Sequence, residues 1–157
     1  MLRIYLDATQ PEIVNRCAQA LARLNRFHRV SHSDRDSMTI VRSNGRCWLA
    51  LIPQHGPGRK HLRVIELKSW QREIIEQVPM SFLRGLIESD GCRFDRVVGG
   101  KAYPAYNFTN HSKDILGLFC WACQLLGIHF TRPTKYVVSI ARRPDVARLD
   151  AAIGPKN

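Results

Sequence analysis

Residues 82–94 read FLRGLIESDGCRF. Phe82, Leu83, Leu86 and Ile87 recur at helical spacing, and the run then closes on Glu88, Ser89 and Asp90 before Gly91. Carboxylates at a helix C-terminus gain nothing from the helix dipole, which already carries partial negative charge there. The chain holds 24 Lys and Arg against 13 Asp and Glu, a formal charge of +11, so acids in that position need a separate reason. Beyond Gly91 the segments CRFDRVV and AYPAYNFT read as two strands around the turn Gly99-Gly100-Lys101, and the opening stretch marks a passage from helix into hairpin.

Outward from there, the spacing predicts a helix over 112–126, SKDILGLFCWACQLL, capped by Ser112 and closed by Gly127. A strand KYVVSIAR and a short helix DVARLDAAI follow. On the N-terminal side Ser81 is the expected N-cap of the opening helix, Pro79 interrupts, and another helix covers Ser69 to Glu76. The loop IPQHGPGRKHLRV comes before it, rich in Pro and Gly and then in basic residues. Residues 28–51 read as strands, with MTIV at 38–41 and CWLAL at 47–51 joined into a hairpin by Ser43-Asn44-Gly45. LRIYLDA at 2–8 alternates as a strand, and Pro11 opens a helix whose apolar positions run from Ile13 to Leu24.

An internal repeat emerges when the halves are aligned. IVNRCAQALARL at 13–24 lies over ILGLFCWACQLL at 115–126, each preceded by a strand (RIYL, AYNF) and followed, after a basic linker, by another (MTIV, VVSI). The second unit is preceded by FLRGLIESDG and a hairpin strand that have no counterpart ahead of the first. The expected organisation is an incomplete first pseudo-repeat over 1–68 and a complete second one over 69–157, forming one compact unit.

A chain of 157 residues with 45% hydrophobic residues can bury one sizeable core or two small ones. No apolar run is long enough to span a bilayer, and the first residues lack a signal-peptide pattern, so no membrane partner and a cytoplasmic location are expected. The basic excess, spread along the chain, points to a polyanion such as nucleic acid. Cys17, Cys47, Cys92, Cys120 and Cys123 fall mostly in apolar runs and read as reduced thiols. Cys120 and Cys123 have CxxC spacing but no second pair to complete a zinc site. Trp48, Trp70 and Trp121 lie in apolar patterns and read as core residues.

The stretch Leu83-Arg-Gly-Leu-Ile-Glu-Ser-Asp-Gly91 resembles the nine-residue signature of the LAGLIDADG homing endonucleases. Leu83, Gly85, Leu86, Ile87, Asp90 and Gly91 match it, Glu88 replaces acid with acid, and Arg84 and Ser89 stand where alanines are usual. The following hairpin, the helix ending LLGI and the strand after it extend the resemblance over nearly the whole chain. It implies an α+β fold of αββαββα type, with antiparallel sheets backed by helices and forming a DNA-binding saddle, in two pseudo-repeats of which the first is incomplete. It also implies that Leu83, Gly85 and Leu86 line a helix interface, glycine permitting close approach of a second helix. Asp90 would be the catalytic Mg²⁺ ligand, with Gly91 as a backbone contact and Glu88 and Lys60 as accessories. Metal-assisted phosphodiester hydrolysis needs such an acid from each of two motif helices, and this chain contains one motif. A homodimer or an N-terminal half supplied from elsewhere would complete the pair, and association with an intron or intein fits the family.

The implied partner is double-stranded DNA, held through Arg3, Arg42, Arg59, Arg93, Arg96, Lys101, Arg132, Lys135, Arg142 and Arg143. Arg93 and Arg96, three apart, cannot share one side of a regular strand. Two other readings stand beside an endonuclease. One is a non-cleaving transcriptional regulator on the same fold, and the other a basic protein-interaction module that dimerises through the motif helix.

Overall fold

The computed structural model describes residues 1–56, 59 and 62–154. It is α+β, with six helices and two antiparallel sheets among the described residues, divided between two compact units, Met1–His55 and Gly56–Asn157. The first unit runs β1 (Leu2–Asp7), α1 (Pro11–Leu24), β2 (Val30–Arg35), β3 (Met38–Ser43) and α2 (Cys47–Leu51). The second opens with α3 (Ser69–Gln77) and continues α4 (Pro79–Asp90), β4 (Gly91–Val98), β5 (Lys101–Thr109), α5 (Lys113–Leu125), β6 (Thr131–Thr134), β7 (Val137–Ile140) and α6 (Arg143–Ile153). From α4 onward its order is α-β-β-α-β-β-α. No helix among the described residues is long and apolar enough to cross a membrane.

The first sheet has strand order β1-β3-β2 and the second β4-β5-β7-β6. The last three strands of the second sheet repeat the first sheet in pairing as well as in order. Ile4 pairs with Val41 and Leu6 with Thr39, just as Tyr106 pairs with Ile140 and Phe108 with Val138. In each unit a helix lies between the first two of these strands in sequence. The sequence alignment of RIYL with AYNF and of MTIV with VVSI therefore corresponds to one hydrogen-bonding register used in both units.

Packing differs between the two. In the second unit Leu83 and Ile87 of α4 join Tyr106 and Phe108 of β5, Leu116 and Phe119 of α5, Val138 and Ile140 of β7, and Leu149 of α6 in one core. Phe108 and Phe119 stack with ring centroids 4.3 Å apart. Leu83 and Ile87 are four apart, so one helical face carries both inward. The core of the first unit is built around Val14, Leu21, Val41 and Trp48, with Leu2, Ile4 and Leu6 only partly buried against it.

Three local expectations are corrected. CWLAL forms the short helix α2, not a strand. Trp48 turns into the core while Cys47, Leu49 and Ala50 are exposed, so the apolar contacts of Trp48 and Leu51 follow helical spacing rather than alternation. The hairpin of this unit is instead β2 with β3, turned through Asp36, whose φ of 54° is left-handed, and Ser37. Ser81 is not an N-cap, because Pro79, with its φ already helical, starts α4 two residues earlier. The stretch read as a basic linker before VVSI contains the edge strand β6. Elsewhere the boundaries agree closely: Ser112 caps α5, accepting from Ile115 N at 3.4 Å, and Gly99 and Gly100, with φ of 57° and 77°, make the two-residue turn between β4 and β5.

Candidate nucleic-acid interface and the acidic helix end

α4 runs without a break into β4, and Asp90 and Gly91 sit at the junction. The Gly91 N–H donates to Ile87 O, closing the helix. A Cβ at Gly91 would lie 2.8 Å from both Cα and O of Ile87, so only glycine lets the chain leave the helix this tightly. A Cβ at Gly85 would meet nothing within 4 Å. Gly91→Ala is therefore expected to cost about 1–3 kcal/mol by forcing backbone apart. Gly85→Ala should stabilise the helix by up to ~1 kcal/mol, since alanine has the better helix propensity. Urea unfolding of the two variants checks this opposition of sign.

Asp90 is exposed, and its Oδ2 accepts from Asn110 Nδ2 at 3.0 Å and from Ser89 Oγ at 3.3 Å. Asn110 is itself buried and fixed on both sides. Its Oδ1 accepts from Ser112 N at 2.9 Å, and its own N–H donates to Tyr136 O at 3.0 Å. It thus ties the end of α4 to the start of α5 and to the β6–β7 turn, and it holds the Asp90 carboxylate. Glu88 has a different setting, accepting from Arg84 Nε at 2.7 Å one helical turn away. Arg84, unusual for the signature, pairs with this acid on its own helix.

Of the residues expected to line a helix interface, Leu83 is fully buried inside its own unit and is not available to a partner helix. Gly85 is exposed and Leu86 half-buried. Among the described residues no group of three or more His, Cys, Asp or Glu side chains is gathered. Asp90 thus offers one exposed carboxylate, toward which Asn110 turns its donor amide rather than its oxygen. Mg²⁺ is held through one or two carboxylates together with waters and substrate phosphates.

Cross-strand partners share a face of a sheet, so the pairing sorts the basic residues. In the second sheet Tyr106 and Phe108 face the helices. The far face then holds Cys92, Phe94, Arg96 and Val98 of β4 beside Asn107, Ala105, Tyr103 and Lys101 of β5, with Ser139 of β7. It carries Arg96 and Lys101 and no acidic strand residue. Arg143, at the start of α6, lies with its guanidinium carbon 5.2 Å from the centre of the Tyr103 ring, and Tyr103 is paired directly with Arg96. In the first sheet the far face holds Arg3, Tyr5 and Asp7 of β1 beside Arg42, Ile40 and Met38 of β3 and Ser31, Ser33 and Arg35 of β2. Arg3 is directly opposite Arg42, which also donates to Ser33 Oγ at 2.6 Å. Like charges in a directly opposed pair destabilise a sheet.

Arg93, by contrast, turns to the helix side. Its Nε and Nη2 donate to Asp150 Oδ1 and Oδ2 at 2.8 and 3.1 Å, and the Tyr106 hydroxyl donates to Asp150 Oδ1 at 2.6 Å. Arg93, expected to contact DNA, has its guanidinium occupied by a bidentate ion pair to α6, on the opposite face of β4 from Arg96. Hydrogen bonds from Arg93, then from Tyr106, hold the Asp150 carboxyl below the ordinary carboxylate range against the opposing effect of burial. Desolvation, followed by the bond to Asp150, raises the Tyr106 hydroxyl. Because the folded-state value of Asp150 is lowered, its stabilising contribution is full above the ordinary carboxylate range and is lost as the pH falls toward the folded value. Asp150→Asn should lower the urea midpoint at pH 7 and flatten its fall between pH 5 and pH 3.

The remaining basic candidates are dispersed. Arg142 Nη1 contacts His129 Nδ1 at 2.8 Å, and His129 N donates to the buried Asp145 at 3.1 Å, fixing the loop before β6 to the first turn of α6. Arg132 donates to Lys135 O at 3.4 Å within the β6–β7 hairpin, and Lys135 Nζ lies 4.8 Å from the Tyr136 ring centre. Arg59 is exposed, and Lys60 lies outside the described residues. All five cysteines are free, and burial pushes the Cys123 thiol up to about 12, as suits an inert core residue.

Sequence reasoning missed Asn110, Asp150 and Arg35. Each becomes visible only with pairing or tertiary contact, although Asn110 stands two residues before the helix cap Ser112, where a side chain that bonds its own backbone is common. No protein-family model matches the chain, and no curated protein matches it.

Proposed function

We propose that this chain is a double-stranded DNA-binding protein of the LAGLIDADG homing endonuclease type. In this reading the far faces of its two sheets contact the duplex, and Asp90 is the ligand for Mg²⁺. The observation that carries the proposal is the placement of Arg3 directly opposite Arg42, an arrangement that costs folding stability and that a polyanion would relieve. Arg35, Arg96, Lys101 and Arg143 add positive charge to the same class of surface, suited to phosphates and to guanine edges in the major groove. The order α-β-β-α-β-β-α in the second unit, led by the helix that carries the signature, supports the fold assignment.

When bound, Mg²⁺ would supply Lewis-acid stabilisation of charge on the reacting phosphate. The protein's part is to hold the Asp90 carboxylate at the helix end through Asn110 and to present it beside the sheet. A second copy of the chain would supply a second Asp90, and the exposed Gly85 suits the approach of another helix. A non-cleaving DNA-binding regulator is the second reading, favoured by the single acidic motif. Incubating the protein with a supercoiled target library and Mg²⁺ separates the two. Nicking that disappears in Asp90→Asn supports the endonuclease, whereas binding without nicking supports the regulator. Nicking that persists in Asp90→Asn would remove Asp90 from the mechanism.

A further inference from the structure

The loop between α1 and β2 reads Asn25-Arg-Phe-His-Arg29 and holds the most exposed large apolar side chain among the described residues. Phe27 is 95% exposed, and Arg26, His28 and Arg29 around it are exposed as well. Residues 13–33 contain four arginines and no acid, so the loop tip stands in positive potential. Single apolar residues on a surface are ordinary. A whole phenyl ring in water is a larger cost than most of them, because aromatic side chains are among those with the most apolar area to bury.

The base of this loop is firmly held. Asn25 is buried, its Nδ2 donates to Ser43 Oγ at 3.3 Å and to Asn44 O, and its carbonyl accepts from His28 N at 3.4 Å. These bonds tie the loop to the end of β3 and fix the turn that carries Phe27. The matching position of the second unit also faces outward. Leu24 and Leu126 are counterparts at the helix ends, and three residues beyond them stand Phe27 and His129. The His129 side chain is 68% exposed with α4 and β4 in place in that unit, so exposure belongs to the loop position itself. His129 differs in being held by Arg142 and Asp145.

The loop adjoins the arginine pair of the first sheet. Arg29 stands two residues before Ser31, which pairs with Arg42, itself opposite Arg3. We infer that Phe27 is a wedge that enters the base stack of bound DNA, a role that rests on the DNA-binding function proposed above. Its ring inserts between neighbouring base pairs and stacks on one of them, while Arg26 and Arg29 keep the tip attractive to a polyanion. Apolar side chains used in this way unstack a base step and kink the duplex. Pyrimidine–purine steps such as TA resist least and are the favoured place. A lipid surface suits the loop less, since one apolar residue among five presents no apolar face.

The test uses the full chain and an end-labelled duplex carrying 2-aminopurine at TA steps. Fluorescence of the 2-aminopurine reports unstacking, and anisotropy of the end label reports binding over a range of salt. The unmodified protein should raise the 2-aminopurine fluorescence as it binds. Phe27→Ala should bind about tenfold more weakly and abolish the rise, with the salt slope and the urea midpoint unchanged, because it removes a stacking contact and neither a phosphate contact nor a buried group. Phe27→Trp should restore both signals. Full affinity in Phe27→Ala, or duplex bound by the unmodified protein without any rise, would overturn the wedge while leaving the DNA-binding reading standing. Absence of salt-dependent binding by the unmodified protein would remove both. Binding to phosphatidylserine vesicles that Phe27→Ala abolishes, with no rise on DNA, would assign the ring to a lipid surface instead.

Discussion

Replacing both Arg3 and Arg42 with alanine should weaken duplex DNA binding by about 2–6 kcal/mol, taking each arginine as one good contact to base or phosphate. Arg3→Ala alone removes the like-charge cross-strand pair and leaves the Arg42–Ser33 hydrogen bond in place, so folding stability of that single variant should rise by about 0.2–1 kcal/mol. The opposite signs are the point of the experiment. An arginine kept for its packing would lower stability when removed, whereas one that serves a polyanion lowers only binding. Arg93→Ala is the matched control. It breaks the ion pair with Asp150 and should destabilise the second unit while leaving the salt dependence of DNA binding unchanged. Anisotropy with a labelled duplex and urea denaturation of the same preparations give both readings.

Leu83→Ala should cost the second unit about 2–5 kcal/mol, the range for truncating a buried leucine where the surroundings relax only in part. Leu83 is fully buried and shares its core with Ile87, Phe108 and Phe119, so the lost methyl groups leave a cavity within a well-packed cluster. Leu86→Ala, at a half-buried position on the same helix, should cost clearly less. The comparison also bears on how the helix could meet a partner. The exposed Gly85 is open to a second helix, whereas Leu83 is committed to its own core.

Much of this architecture is legible in the sequence wherever one local signal suffices. Pro11 and Ser112 mark helix starts, Gly99-Gly100 marks a hairpin, and the offset between 13–24 and 115–126 announces a pairing scheme used twice. CWLAL misleads because five apolar residues are too few to separate period 2 from period 3.6, and only the core around Trp48 decides between them. β6 escapes notice because Pro133 and Arg132 look like linker residues, yet an edge strand tolerates both. At the candidate site, the acidic helix end can be read from Glu88, Asp90 and Gly91. The partners that give those acids different settings, Arg84 for Glu88 and Asn110 for Asp90, are less evident. Asn110 is 20 residues from Asp90 in sequence, and only the β4–β5 hairpin brings the two together. The facing of Arg93 and Arg96 follows from strand alternation, but which of them meets Asp150 depends on where α6 packs.

The central claim is that the far faces of the sheets bind duplex DNA through their basic side chains, and the salt dependence of binding tests it most directly. With phosphate contacts from Arg3, Arg35, Arg42, Arg96, Lys101 and Arg143, a plot of log affinity against log salt should fall with a slope of about −5. The Arg3→Ala, Arg42→Ala double variant should make that slope shallower by about 2. A slope near zero for the unmodified protein, or one that the double variant leaves unchanged, would contradict the account.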